Sequence, residues 1–557
     1  MTVYTKKIIL LFVMMVGVLS ATDRRQEELA KLDFPSKVTA KGWARVGVRD
    51  HYGIDVPLLC LHSSHSTGCG DFYDLFPLVD WLKELDMDML QLLPLNDTGQ
   101  IPSPYSPLSF YALHPIYLSL ENLPYLKQAP KVFLDILNDM KALNKTRRVD
   151  YYQVLEKKES FLKNYITHFK NKFDKNSTYL NFLQKASYWV TDYALYKVLV
   201  EHFGSGWAQW PKELLEPSNE TLKKLKEKYA EEMVYYQVVQ FLCFEQMEKV
   251  HSYANEKGVF LLGDLSFLGD LNSCEVWRHP QFFKIDKSVG MRPKPDYPEG
   301  QYWGLPPYNW QMIEESGDEM LLERIHTLSS IYDLYRLDTC LGYFMQYEIP
   351  INESPKKGSY VPQSKEKALQ NGKRLLTSFI KEANLCIPYA EAYDFSPQML
   401  ELLKELGIAR LTTFTETNTV HTKAKLLYSG KDLPVLDLFM LSNHDDLPLR
   451  RWWFENSEKA TLIAKYYGWN YKQILTSEQQ RALIQMVYEA NSIFHINMLY
   501  DLLPGDLTWP PEEEGVNSPG TKSDKNWTYR FKLSVEELVA SPKLRQYAAP
   551  KNYNSPQ

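Results

Sequence analysis

The chain has 557 residues, of which 44% are hydrophobic and 13% aromatic, so it is long enough to bury a large core. Its formal net charge is only -6, which indicates no basic surface of the kind that binds nucleic acid. The sequence has no metal-ligand motif, no P-loop and no GxGxxG phosphate cradle, so we expect no nucleotide, metal or other cofactor.

The N-terminus, residues 1–21, has the shape of a secretory leader. Two lysines precede the apolar run Ile8–Leu19, and the small residues Ser20 and Ala21 follow. The apolar run is too short for a comfortable transmembrane span. The six cysteines show no CxxC pairing, which instead favours a reduced, intracellular protein. We therefore expect a cytoplasmic protein, with export through this N-terminal segment as the alternative.

Eight short apolar runs follow along the chain and are predicted as strands. They are Val56–Leu61, Met87–Leu95, Val259–Leu265, Leu334–Leu341, Cys386–Ala392, Ile408–Phe414, Val435–Ser442 and Phe494–Leu503. Continuous apolar character is typical of strands that are buried on both faces. Helix-sized segments lie between them, such as Phe72–Leu85 after the first strand. The predicted fold class is α/β, a (β/α)₈ TIM barrel that spans residues 22–550.

Two segments exceed what a simple barrel needs. Residues 100–255 are too many for one crossover and are rich in Lys and Glu, which predicts a mainly helical subdomain inserted into a βα loop. Residues 286–310 are rich in Pro, Gly and Tyr, which indicates a long loop. Because long loops in compact folds often carry function, this one is expected to be functional.

Three carboxylates stand at the ends of predicted strands. Asp338 belongs to the fourth strand, Glu391 to the fifth, and Asp445 follows the seventh. Catalytic groups of such barrels lie where strands end and βα loops begin. A structural ion pair, for example between Arg336 and Asp338, is the simpler alternative for a single carboxylate. Three carboxylates at matching strand ends favour a catalytic site.

Retaining glycoside chemistry requires two such groups at a separation of ~5–5.5 Å. One carboxylate attacks the anomeric carbon, and the other gives a proton to the leaving oxygen and later takes one back. Arg336 is expected to lower the pKa of Asp338, which favours Asp338 as the nucleophile. The apolar and aromatic neighbours of Glu391 favour it as the acid/base. Asp445 is expected to hold sugar hydroxyl groups and favour ring distortion.

Short motifs occur in a fixed order from Gly53 to Arg530. They include Gly68–Phe72, Gln91–Thr98, Ser103–Ser106, Ala112–Pro115, Gly263–Leu265, Glu275–Trp277, Gln301–Gly304 and Asn517–Thr521. In this order and spacing they resemble the amylomaltases, the 4-α-glucanotransferases of glycoside hydrolase family 77. Each motif is modest alone, but together they are specific and cover nearly the whole chain.

The resemblance extends to the three carboxylates. The family's nucleophile motif Arg-x-Asp-His is matched by Arg336 and Asp338, its acid/base motif Glu-Asp-Leu-Gly by Glu391, and its His-Asp pair by His444 and Asp445. The resemblance therefore implies catalytic roles for Asp338, Glu391 and Asp445, and a contact with substrate for Arg336. It also implies the same barrel with helical insertions.

The chain departs from the family pattern beside these groups. Thr339 replaces the histidine after the nucleophile, Ala392 replaces the aspartate after the acid/base, and Tyr393 and Asp394 stand where Leu-Gly is usual. Loss of a neighbouring hydrogen-bonding side chain can loosen geometry or shift a pKa. We therefore expect weaker activity or an altered preference among acceptors.

Further residues are expected to bind substrate. The resemblance places Tyr105, Trp303 and the loop 286–310 in the active site, where the two rings would stack on glucose. From the residues alone, the alternative for Tyr105 is a packed loop residue. Asp264 ends the third strand and would bind sugar hydroxyls, with a helix N-cap as the alternative. His444 would donate to a sugar oxygen, with a core histidine as the alternative.

The resemblance implies transfer of α-1,4-glucan segments from a maltooligosaccharide, or from a donor derived from starch or glycogen, to the 4-hydroxyl of glucose or another glucan. The expected partners are thus maltooligosaccharides and α-1,4-glucans, without nucleic acid or nucleotide. Two alternatives stay open: a hydrolase with water as the acceptor, and a degenerate glucan-binding barrel that has lost catalysis. The sequence predicts no oligomeric state.

Overall fold

A computed structural model describes residues 21–204, 206–295, 297–420, 430–521 and 523–550. The leader-like segment falls almost entirely outside these described residues. Within them, eight parallel strands close into a barrel. These strands are β1 His51–Val56, β2 Met89–Leu92, β3 Phe260–Leu265, β4 Leu334–Leu337, β5 Ile387–Ala390, β6 Ala409–Thr413, β7 Asp437–Met440 and β8 Phe494–Met498.

Each barrel strand pairs with its neighbours in sequence, and β8 closes the barrel against β1. The predicted (β/α)₈ class is confirmed. The prediction for the first strand was largely wrong, because β1 ends at Val56 rather than beginning there. Pro57 has no N–H to continue the ladder, and Leu58–Cys60 form a 3₁₀ turn. The other predicted strands overlap the observed ones and extend beyond them at one or both ends.

The described part of the chain forms helices around and between these strands. In chain order they are α1 Ala21–Lys31, α2 Ala40–Val46, α3 Leu75–Glu84, α4 Lys131–Met140, α5 Tyr151–Phe173, α6 Ser177–Lys185, α7 Val190–Phe203, α8 Asn219–Lys228, α9 Ala230–Lys257, α10 Cys274–Arg278, α11 Trp310–Glu315, α12 Glu319–Ser329, α13 Lys365–Ala383, α14 Pro397–Leu406, α15 Phe414–Val420, α16 Leu449–Glu455, α17 Ser457–Tyr466, α18 Ser477–Tyr488, α19 Val535–Ala540 and α20 Pro542–Ala548. None of these helices is both long and apolar enough to cross a membrane.

Helices α4 to α9 lie between β2 and β3, where the sequence predicts a helical insertion. Helix α9 holds the loop that follows β2 through two buried glutamines. The Gln240 side chain accepts from the Leu113 N–H and donates to the Leu113 carbonyl, each at 2.8 Å. Gln246 forms the same two bonds with Ser119, at 2.9 and 3.0 Å. The loop that carries Tyr105 is thereby fixed to the insertion.

A second, four-stranded antiparallel sheet stands beside the barrel. Its strands run in the order Gln301–Tyr302, Lys287–Met291, Gln346–Pro350 and Ser359–Val361. The expected loop at 286–310 therefore contains two short strands, and we name the hairpin that they form the flap. Proline and glycine between and after these strands hid the strand pattern in the sequence.

All six cysteines are buried and unpaired. Their burial in the core bears on packing and does not identify a cellular compartment. The cytoplasmic location and the alternative of export both stay predictions.

Candidate active site

A cavity of about 440 Å³ opens at the carboxyl ends of the barrel strands. Asp338 and Glu391 line it directly after β4 and β5, and Asp445 lines it five residues beyond the end of β7. Trp303, which follows the second strand of the flap, lines the same cavity. The structure therefore brings the three predicted catalytic carboxylates together with one predicted stacking residue.

Arg336 is the electrostatic centre of the site. It is only 1% exposed, and its guanidinium contacts three carboxylates: Asp264 at 2.8 Å, Asp338 at 3.2 Å and Glu391 at 2.8 Å. The register of the barrel explains the first contact, since Asp264 on β3 pairs directly with Arg336 on β4. Directly paired residues on neighbouring strands project to the same face, here the barrel interior. The structural ion pair of Arg336 and the proposed catalytic site, which were alternatives in the sequence, therefore involve the same residues.

Backbone amides orient the two proposed reacting carboxyl groups. The Phe267 N–H donates to Oδ2 of Asp338 at 3.0 Å, and the Thr339 N–H donates to Oε2 of Glu391 at 2.8 Å. Thr339 has φ 46°, a left-handed conformation that is rare for a β-branched residue. Such strain persists where the surroundings hold it in place, and here the strained amide bonds to Glu391. The backbone donor is therefore present although the family's histidine is not.

The expected low pKa of Asp338 is not found. Burial raises the pKa of Asp338 to about 7, and the opposing effect of Arg336 does not reverse the shift. Arg336 cannot hold the pKa down because its single positive charge is shared among three carboxylates, and the charges of Glu391 and Asp264 raise the pKa further. Near neutral pH, the cluster can therefore take up and release a proton.

Of the predicted substrate-binding residues, Trp303 lines the cavity, whereas Tyr105, Asp264, Arg336 and His444 do not. The Tyr105 hydroxyl donates to Asp264 at 2.6 Å and accepts from Arg336 at 3.2 Å. The Tyr105 ring stacks on His444, with centroids 5.0 Å apart and planes at 19°. The alternative N-cap role of Asp264 does not occur, since Ser273 caps α10. The sugar-binding roles of Tyr105, Asp264 and His444 stay predictions.

Asp445 differs from Asp338 in its surroundings. Its side chain is 42% exposed in the cavity, with His444 at 3.4 Å and the Asn517 amide donating at 2.7 Å. Desolvation in the cleft raises the pKa of Asp445, but His444 and Asn517 more than offset it and bring the pKa to about 2. Desolvation lowers the pKa of His444, and the charge of Asp445 raises it above its usual value. Asp445 is therefore ionised at neutral pH.

Sequence reasoning missed residues that complete the site. Asn443 accepts hydrogen bonds from the backbone N–H groups of Asp445 and Asp446 at 2.8 and 2.9 Å, which shapes the loop after β7. Glu416 lines the cavity three residues beyond the end of β6. The strand-end rule that identified Asp338 would have found Glu416, had it been applied to the sixth strand.

The fold and the site define a class: (β/α)₈ enzymes that carry paired carboxyl groups at strand ends, as glycoside chemistry requires. The family model described as 4-alpha-glucanotransferase matches residues 56–535. A 4-alpha-glucanotransferase of Chlamydia pneumoniae is 34% identical over 515 residues, covering 91% of this chain and 96% of the relative. Another from Aquifex aeolicus is 30% identical over 478 residues, covering 84% and 92%. This chain belongs to the 4-alpha-glucanotransferase family.

Solved structures agree on the fold. The amylomaltase of Streptococcus agalactiae, solved in complex with acarbose, superposes with a TM-score of 0.75 at 24% identity and covers 90% of this chain and 98% of that one. The amylomaltase of Corynebacterium glutamicum gives a TM-score of 0.74 at 18% identity. At these identities the likeness concerns the barrel and its insertions alone.

The raised pKa of Asp338 predicts a cost in stability. In the folded protein Asp338 keeps its proton up to a pH of about 7, whereas in the unfolded chain it loses the proton near pH 4. The contribution of Asp338 to the free energy of unfolding is therefore highest below about pH 4 and decreases as the pH rises to about 7. Asp338→Asn removes this decrease. We expect the unfolding free energy of the variant relative to the wild type to be more favourable at pH 8 than at pH 4.5 by ~1 kcal/mol or more.

Thermal or urea unfolding at the two pH values measures this difference. Asp135→Asn, at an exposed position on α4, is the matched control and should show no pH-dependent gain. An equal gain for Asp338→Asn at both pH values would contradict a raised pKa for Asp338.

Proposed function

We propose that the protein is a 4-α-glucanotransferase that cleaves an α-1,4 bond and passes the glucan segment to the 4-hydroxyl of another sugar. The observation that carries the proposal is the pair Asp338 and Glu391, held by one buried guanidinium in a cavity at the strand ends. Two carboxyl groups in such a site supply what a retaining double displacement needs. The family of the chain supports glucan transfer rather than hydrolysis or binding alone.

In the first displacement, Asp338 attacks the anomeric carbon while Glu391 gives its proton to the leaving oxygen. The α-1,4 bond breaks, a covalent glycosyl ester forms on Asp338, and the shortened glucan departs with the proton. In the second displacement, Glu391 removes a proton from the 4-hydroxyl of the acceptor, and that oxygen replaces Asp338 at the anomeric carbon. Each step is balanced, and Glu391 ends with its proton restored.

Residues around the pair are proposed to stabilise the sugar. Asp445 is ionised and partly exposed, so it can accept hydrogen bonds from sugar hydroxyl groups in the cavity. Trp303 donates its indole N–H to Gln301 at 2.9 Å, which fixes a ring that can stack on glucose. Arg336 balances charge on both reacting carboxyl groups.

Incubation with maltotriose tests the reaction class. Transfer yields glucose together with chains longer than three units, whereas hydrolysis yields only glucose and maltose. We expect the transfer products. Asp338→Asn and Glu391→Gln should each lower the rate by at least ~10³-fold, because each removes a group that acts in the transition state.

Lys356→Gln, which breaks an exposed ion pair outside the cavity, is the control and should retain the wild-type rate. Unaltered maltotriose would refute the catalytic proposal. Full activity in Asp338→Asn would refute its role as the nucleophile.

The charge cluster also predicts the pH dependence. Asp338 must be ionised to attack, so its pKa of about 7 should place the acid limb of kcat/KM near neutrality. The charge of Asp264 raises the pKa of Asp338 and competes for Arg336. In Asp264→Asn, the acid limb should therefore move by ~0.5–1 pH unit to lower pH. A pH–rate profile measures the shift, and an unmoved limb with a lower rate would assign Asp264 a purely structural role.

A further inference from the structure

One wall of the cavity is formed by two separate elements joined by an ion pair. Lys294 lies in the turn of the flap, and Asp394 lies in the loop after β5. The Lys294 ammonium is 2.7 Å from the Asp394 carboxylate, and Arg292 approaches the same carboxylate at 3.8 Å. Lys294 and Asp394 both line the cavity that holds Asp338 and Glu391. The ion pair therefore connects the flap to the barrel at the substrate cavity.

The backbone at Asp394 has a conformation in which glycine is the usual residue. Asp394 has φ 60°, the left-handed conformation that favours glycine and that aspartate tolerates better than most residues. The family motif has glycine here. Glycine has no side chain, whereas the carboxylate of Asp394 reaches Lys294 of the flap.

The preceding residue extends the same wall. Tyr393 lines the cavity, accepts a hydrogen bond from the Asn443 amide at 3.4 Å and bonds to Glu416. Burial raises the pKa of Glu416 to about 7, and the charge of Asp446 adds to the increase. Polar side chains thus continue the wall from the ion pair towards the loop after β7.

We propose that the Lys294–Asp394 ion pair is a specificity determinant that closes this side of the cavity and favours short maltooligosaccharides over long glucans. The inference rests on the proposed glucanotransferase function. A glucan that extends past the catalytic pair on this side has to displace the flap and separate the two charges. Both side chains are about a quarter to a third exposed, so the ion pair is weak enough to open and is screened by salt.

The test compares kcat/KM for maltoheptaose with kcat/KM for maltotriose. Asp394→Asn keeps the size and the left-handed backbone but removes the charge, and Lys294→Gln removes the opposite charge. Each should raise the maltoheptaose-to-maltotriose ratio by about threefold, mainly through a lower KM for maltoheptaose. In the wild type, a rise from ~0.02 M to ~0.5 M NaCl should raise the same ratio, since salt screens the exposed pair.

Lys356→Gln is the matched control. Lys356 forms an exposed ion pair with Glu299 in the turn of the flap, at 2.7 Å, but neither residue lines the cavity. An unchanged ratio in Asp394→Asn and Lys294→Gln would overturn the proposal, and so would an equal rise in Lys356→Gln, because any loosening of the flap would then suffice. Absence of transfer by the wild type would instead refute the proposed function.

Discussion

The site depends on one buried positive charge. Burial of a guanidinium is costly unless it is paired, and Arg336 is paired with one carboxylate on β3 and with two that directly follow β4 and β5. The reverse also holds, since Asp264 is buried and would lose its ion-pair partner without Arg336. The charges at the ends of three neighbouring strands therefore have to be brought together for each to be paired. The closed parallel barrel does this, because its register places Asp264 and Arg336 side by side.

Much of this arrangement could be predicted from the sequence. Apolar runs that end in a carboxylate mark strand ends, and strand ends of a (β/α)₈ barrel meet at one face, so Asp338, Glu391 and Asp445 were expected to converge. The apolar pattern did not predict the bounds of β1, because Pro57 ends that strand although apolar residues continue after it. It failed again in the flap, where two short strands flank a proline-rich turn.

The charge state of the site could not be predicted in the same way. Adjacency in sequence suggested that Arg336 acts on Asp338 alone. The pKa depends instead on every charge and every desolvated atom nearby, and Asp264 and Glu391 are distant in sequence from both residues. The role of Thr339 could not be predicted either, because its substitution for histidine suggested the loss of a hydrogen-bonding group beside the nucleophile. Its contribution to Glu391 is a backbone N–H, which the residue type does not reveal.

The two buried glutamines of α9 have a wider consequence. Gln240 and Gln246 present an amide to the loop after β2 as a neighbouring strand would, with one donor and one acceptor at each place. The helix thus supplies the donor and the acceptor that a sheet edge would otherwise present to Leu113 and Ser119. The loop that brings Tyr105 to Asp264 is thereby hydrogen-bonded to a 28-residue helix. The helical insertion therefore helps to position residues of the catalytic centre and is not a separate addition to the barrel.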